Sequence, residues 1–475
     1  MRIGKAVAWG LIVLGGAALW AQSGTVEQPA APAPAATGVQ SGDSAKSDSM
    51  SSDNEQNAGQ MLTPPPVSGG TYPVAVTAEE RANYLRGGVT FNTAYSDNVL
   101  AGTSGTPVSD VSYSIWPTLM LDETSSRLHF VLSYAPGFTF YQRVSAFNET
   151  DQNVGLEVKY RLSPHVTFSA RDGFQKTSNV FNQPDLAAGG VVSGGAGGGN
   201  LSVIAPVADR LSNIGSVGLA YQFGTDSMVG ASGAFSNLHY PDAAEVPGLF
   251  DSASQSGSGF YARRISKTHY VGAIYQYQRL LSYPAPGTNE TQTHAALAFL
   301  TVYVSPRFSI SAFGGPEHAD SGGQFSVSGT ASTPGAQSWK PDAGGSLSWQ
   351  GLHTSLALSY SHMIASGGGL LGAVEMDGAN ASFRQQITRL LSATLLGAYA
   401  QNDLLISPPV ASGNGHTVLG TASVQQQLLG QHLSVQLGYT RLHQDYSTVA
   451  ALAANPDTNR EFVSLSYQFA RALGR

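Results

Sequence analysis

The chain contains no cysteine among its 475 residues. That excludes a disulfide scaffold, a thiolate metal site, a cysteine nucleophile and the lipidated cysteine of a bacterial lipoprotein. Charge is also scarce: Asp, Glu, Lys and Arg make up 12% of the residues, about half the share usual in globular proteins, which a cytosolic enzyme would not match. The 24 basic residues do not outweigh the 31 acidic ones, and a net charge of -7 offers no general attraction for nucleic acid or anionic lipid. Past the first residues no apolar run is long enough for a spanning helix, so a multi-span helical membrane protein is excluded. What is abundant is glycine (55), with 20 Tyr and 19 Phe.

The start of the chain reads as an address. Arg2 and Lys5 precede an apolar stretch from Ala6 to Trp20, and Ala21 stands before Gln22, the pattern of a secretory signal peptide over residues 1–21. Residues 22–80 are rich in Ala, Pro, Ser and Gly. Too few large apolar side chains are present to offset the entropy of ordering the backbone, so a disordered periplasmic linker is expected, extended in its Pro-rich part. A docking segment or a plug for a lumen is the alternative reading of that stretch.

From residue 81 to 475 the pattern changes to period two. Val154, Leu156, Val158, Tyr160 and Leu162 alternate with Gly155, Glu157, Lys159 and Arg161, and Leu433, Val435, Leu437 and Tyr439 alternate with Ser434, Gln436, Gly438 and Thr440. Such alternation marks strands with one greasy side and one polar side. A soluble sandwich alternates too, but here the connections are short and long in turn. Ser163-Pro164-His165, Ser305-Pro306-Arg307, Gly351-Leu352-His353 and Leu429-Gly430-Gln431 are short, and the links between them are long and rich in Gly, Ser, Asn and Pro. Short turns on one rim and long loops on the other, with Tyr160, Tyr360, Tyr439 and Phe469 closing the apolar stripes, point to a transmembrane antiparallel up-and-down β-barrel. About 18 strands are expected. Sixteen stays open, because 227–237, 256–265 and 374–387 alternate poorly. A barrel of this size cannot be filled by side chains alone, so an aqueous passage, open or plugged by a loop, follows.

The region from about Leu85 to Arg475 resembles outer-membrane β-barrel porins of the kind found beside exopolysaccharide export genes. The matching pieces are Tyr95-Ser96-Asp97-Asn98, Tyr160-Arg161-Leu162-Ser163-Pro164 and Phe462-Val463-Ser464-Leu465-Ser466-Tyr467-Gln468-Phe469. The resemblance implies that Val463, Leu465, Tyr467 and Phe469 form the signal read by the barrel-assembly machinery, although the chain runs on through Ala470 to Arg475.

Several residues are candidates for the lumen. Arg86, Glu157, Lys159, Arg161, Arg171, Lys340, Asp342 and Arg384 fall on the polar side of their strands and either bias solute passage or pair across strands to hold the wall. Asp172 has the apolar parity of Val166, Phe168 and Phe174, a conflict that a bulge at Asp172-Gly173 or a place near the rim would relieve. The longest loop, Thr177 to Arg210, either folds inward or stays outside. His165, His294 and His353 are expected near strand ends. The histidines show no metal-ligand pairing, the Gly-rich run lacks a nucleotide-site context, and no Gly-x-Ser-x-Gly occurs, so no cofactor, metal or catalytic residue is assigned. The expected function is a porin-like channel for small solutes. The alternative is a plugged barrel serving envelope export, with outer-membrane lipid, a homo-oligomer or a periplasmic export protein as partners.

Overall fold

Hydrocarbon offers no partner for backbone N–H and C=O groups, so a two-sided sheet survives there only if its edges meet. The computed structural model shows that closure. It describes residues 83–475 apart from 101–105, most of 178–207, 243–246, 285–286, 326–332, 406–413, 429–431, 447–448, 450–456 and 473–475. The expected signal peptide (1–21), the linker, the turn at 429–431 and most of the longest loop lie outside the described residues.

Among the described residues eighteen antiparallel strands form one sheet: β1 (Tyr84–Ser96), β2 (Asp110–Thr124), β3 (Leu128–Tyr134, resuming as Gly137–Tyr141), β4 (Glu149–Arg161), β5 (Val166–Thr177), β6 (Arg210–Phe223), β7 (Ser227–His239), β8 (Ser252–Arg264), β9 (His269–Ser282), β10 (Gly287–Ser305), β11 (Phe308–Phe325), β12 (Thr333–Gln350), β13 (Thr354–Ser366), β14 (Ala373–Gln386), β15 (Leu391–Leu404), β16 (Gly415–Leu428), β17 (Leu433–Asp445) and β18 (Asp457–Ala472). The two pieces of β3 share one register against β2, with Leu119 opposite Tyr134 and Ile115 opposite Phe138. They are therefore one strand interrupted at Pro136, which has no N–H to give. A separate two-residue pair, Val192–Ser193 with Gly199–Asn200, lies in the longest loop.

The sheet closes where β18 pairs with β1, from Ala472 opposite Tyr84 to Arg460 opposite Ser96. Both ends of the barrel chain, and the short connections at 125–127, 162–165, 224–226, 265–268, 306–307, 351–353 and 387–390, lie on one rim. The weakly alternating segments are strands as well, so eighteen holds over sixteen.

Outward side chains are apolar and exposed, among them Val217 (53%), Leu395 (53%) and Leu437 (57%). Tyr160, Tyr360, Tyr439 and Phe469 also point outward. The inner side is not uniformly polar. On the inner wall of β7 to β11, Met228, Phe260, Ala262, Tyr270, Phe299 and Phe313 form an apolar cluster. Phe299 lies flat over Gly272, where a Cβ would run into the ring and the Tyr261 carbonyl. Large rings can lie against the wall there only because glycine leaves the space.

Two prolines shape one side. Pro316 on β11 stands opposite Pro341 on β12. Neither can donate, so they occupy a non-hydrogen-bonded pair, and each ring nitrogen faces the other neighbouring strand. Pairing accordingly skips Gly315 and Pro316 between β10 and β11. Between β12 and β13 it ends at Ala343 opposite His362, just short of Pro341.

Candidate functional site

Above that point β13 leaves the wall and turns inward. Alternation assigns Ile364 to the outer side of β13, yet it is 1% exposed, and Met363, Ala365 and Ser366 are buried as well. Both sides of this stretch are covered. Ile364 and Ala373 pack against Leu280 of β9 and Ala319 of β11, both on the inner wall, and the Ile364 N–H donates to Oε2 of Glu317 at 3.2 Å. The upper end of the β13–β14 hairpin is thus tucked inside the wall made by β9 to β12, like the overlapped edge of a scroll.

The tip of this hairpin, 367–372, suits that place. Gly369 and Gly372 hold φ of 108° and 103°, backbone that side chains disfavour. The Gly369 carbonyl accepts from the Phe250 N–H at 2.7 Å. Tyr240, 1% exposed, places its hydroxyl near the Gly368 carbonyl at 3.5 Å. Burial pushes the Tyr240 hydroxyl up to about 12, against the pull of Arg210, so it stays protonated at any physiological pH. Val203, Ala208, Tyr240, Leu249, Leu370, Tyr446 and Val449 join inward residues of β7 and β13 to β17 in one apolar cluster. The long-loop end of the lumen is therefore packed by segments of the chain itself.

Each sequence-derived lumen residue takes the inward side of its strand. Lys159, Arg161 and Arg171 are exposed although they point inward, so the short-turn end of the interior is open to water. Arg171 pairs with Glu157 at 2.9 Å, and Arg86 reaches over the Tyr84 ring at 5.9 Å. Arg384 is half-buried on β14. Lys340 and Asp342 sit higher, beside the tucked hairpin. Lys340 Nζ meets Glu375 Oε2 at 2.7 Å, whereas Asp342 is buried. Val463, Leu465, Tyr467 and Phe469 all point outward, and β18 runs past Phe469 to Ala472.

Two expectations need correction. Asp172 is not relieved by a bulge: its register with Leu156 and Gly215 is regular, it faces outward, and it accepts a hydrogen bond from Asn213 Nδ2 at 3.0 Å. His294 is not near a strand end, because β10 begins at Gly287. It lies outside the wall and bonds the Tyr275 hydroxyl at 2.7 Å. Beyond these, residues 361–376 form an unexpected lumen filler, packed together with Val203 and Ala208 of the longest loop, most of which lies outside the described residues. The alternation inverts at the bend, where His362, Glu375 and Asp377 take the parity that is apolar lower in the strands and Met363, Val374 and Met376 take the other, which is part of why 374–387 alternates poorly. The cluster Gly367-Gly368-Gly369 marks the tip.

No protein-family model and no curated relative matches the chain. Solved structures with some likeness include OpdO of Pseudomonas aeruginosa, at 10% identity over 82% of this chain and 97% of that one, TM-score 0.40. OccAB3 of Acinetobacter baumannii shows 9% identity over 82% and 99%, TM-score 0.39. The unliganded ferric citrate transporter FecA shows 10% identity over 82% and 79%, TM-score 0.39. At such values the likeness carries no argument about function. The class of the protein, a closed eighteen-stranded β-barrel with an apolar exterior, rests on its own ladders and its own surface.

Proposed function

We propose that the protein is a bacterial outer-membrane channel that passes small solutes by diffusion and is narrowed at its long-loop end by the tucked β13–β14 hairpin. The observation that carries this reading is inward-facing yet solvent-exposed charge, at Lys159, Arg161 and Arg171, inside a closed wall with an apolar exterior. On that side of the lumen Arg86, Lys159, Arg161 and Arg171 outnumber Asp122 and Glu157, which favours weak selection for anions. Short turns and barrel termini then face the periplasm, with the N-terminal extension on the same side. Conductance of the full chain in planar bilayers tests the reading. Stepwise openings are expected, larger ones when 367–372 is replaced by a tight turn. Well-folded protein that gives no openings in either form refutes it.

A second reading is favoured by the apolar packing of Tyr240, Leu249, Leu370, Tyr446 and Val449: a plugged barrel acting as a binding or assembly component of envelope export. The exopolysaccharide association implied by the resemblance belongs to this reading, and the comparisons add nothing to it.

A further inference from the structure

The contact between the tucked hairpin and the wall carries too little positive charge. From the wall come Glu317, Lys340 and Asp342, all inward, and from the hairpin come His362, Glu375 and Asp377. The two basic side chains, Lys340 and His362, make their contacts with the hairpin carboxylates. Lys340 meets Glu375 at 2.7 Å, while His362 holds Glu375 through Nε2 at 3.1 Å and Asp377 through Nδ1 at 3.0 Å. Tyr360 donates to Asp377 as well, at 2.6 Å. That leaves the wall carboxylates.

Glu317 is 2% exposed and Asp342 is 6% exposed. They stand on adjacent strands as diagonal neighbours, with Asp342 opposite Gly315 and Glu317 two residues further along β11. Glu317 receives the Ile364 N–H. Oδ1 of Asp342 has no hydrogen-bond partner among the described residues, and the Oγ of Ser361, 1% exposed, has none either. Ser361 faces inward opposite Gly344, two residues along β12 from Asp342. Glu317 also accepts from the Thr293 hydroxyl, so Asp342 Oδ1 and Ser361 Oγ are the unpartnered oxygens of this buried region. Two buried carboxylates with no direct ion-pair partner among the described residues are costly, and a cation or a proton would offset that cost.

We propose that Glu317, Asp342 and the Ser361 hydroxyl form a site for one hard divalent cation, calcium in the first instance, between the wall and the tucked hairpin. Oxygen ligands from flexible strand side chains suit calcium, which tolerates irregular coordination and completes its shell with water. Among the described residues no group of three or more His, Asp or Glu side chains is placed to hold a metal ion, so with two carboxylates the affinity expected is that of a weak site, about 0.1–1 mM. Because Glu317 also holds the Ile364 backbone, the cation fastens the hairpin to the wall.

The test is calcium titration by isothermal calorimetry on the full chain in lipid-free detergent, after treatment with EDTA. One saturable site is expected, lost in Asp342→Asn, weakened about tenfold or more in Glu317→Gln, and kept in Asp226→Asn at a distant turn. Heat-modifiable gel migration verifies that each variant is folded, and Ser361→Ala, which keeps both carboxylates, is expected to weaken binding without abolishing it. Calcium is also expected to raise the unfolding midpoint of the unaltered chain and not that of Asp342→Asn. Absence of saturable binding to the folded unaltered protein overturns the proposal, as it would if a proton alone compensates Asp342. Binding that survives in both carboxylate variants overturns it equally. Neither result depends on whether the barrel conducts.

Discussion

Placing one arginine on either side of a single strand separates lipid from lumen. On β13, Leu358 faces outward at 41% exposure, and its neighbour Ser359 faces inward at almost the same depth. Leu358 lies four residues beyond Thr354, which at about 3.4 Å per residue and a tilt near 40° puts it about 10 Å into an apolar band about 25 Å tall. Arginine near mid-depth on the lipid side costs about 2–4 kcal/mol. A loss of about 3 kcal/mol for Leu358→Arg lowers the folded-to-unfolded ratio about a hundredfold. Ser359→Arg meets the polar Asn380 and Ser346 across the strands and should cost under about 1 kcal/mol if water fills that part of the lumen. Urea unfolding in phosphatidylcholine vesicles, followed by tryptophan fluorescence, measures both. If Ser359→Arg costs as much as Leu358→Arg, the assignment of faces is wrong.

Other consequences follow from particular contacts. Gly272→Ala should destabilise the fold by about 1–3 kcal/mol through overpacking against Phe299 and the Tyr261 carbonyl, with partial recovery in the double variant with Phe299→Leu; thermal unfolding that leaves Gly272→Ala unchanged would contradict this packing. Glu157→Gln releases Arg171 from its 2.9 Å partner and should shift the reversal potential toward anions, while stability changes by less than about 1 kcal/mol, as for other exposed pairs. At the turn, hydrogen bonds from Arg264 and Thr225 hold the Asp226 carboxyl below its ordinary value. Its stabilisation is therefore fully present above the unfolded carboxylate range and fades as pH falls through the lower folded value. Carboxyl carbon-13 titration should show that depressed midpoint, and Arg264→Gln should return it to normal; an unshifted midpoint in the unaltered protein counts against the contact. Phe469→Ala should lower the yield of folded barrel in outer-membrane fractions while leaving in vitro refolding possible, and equal yields would remove Phe469 from the assembly signal.

Alternation within a strand is a local property of the chain. It was enough to show where the strands run and which side chains share one face of each strand. Connection length added the two unlike rims. Pro136, Pro316 and Pro341 were visible too, but what they do depends on which neighbour each nitrogen faces, and that is a matter of register.

Only the tertiary structure decided how the lumen is occupied. Lys340 has inward parity and Glu375 outward parity, so residue patterns keep them on opposite sides of the wall. They meet because the sheet overlaps itself above Ala343, and the outside of β14 there lies against the inside of β12. Period two fixes a side chain relative to its own strand. It carries no information about where a strand, released by a proline from its neighbour, comes to rest.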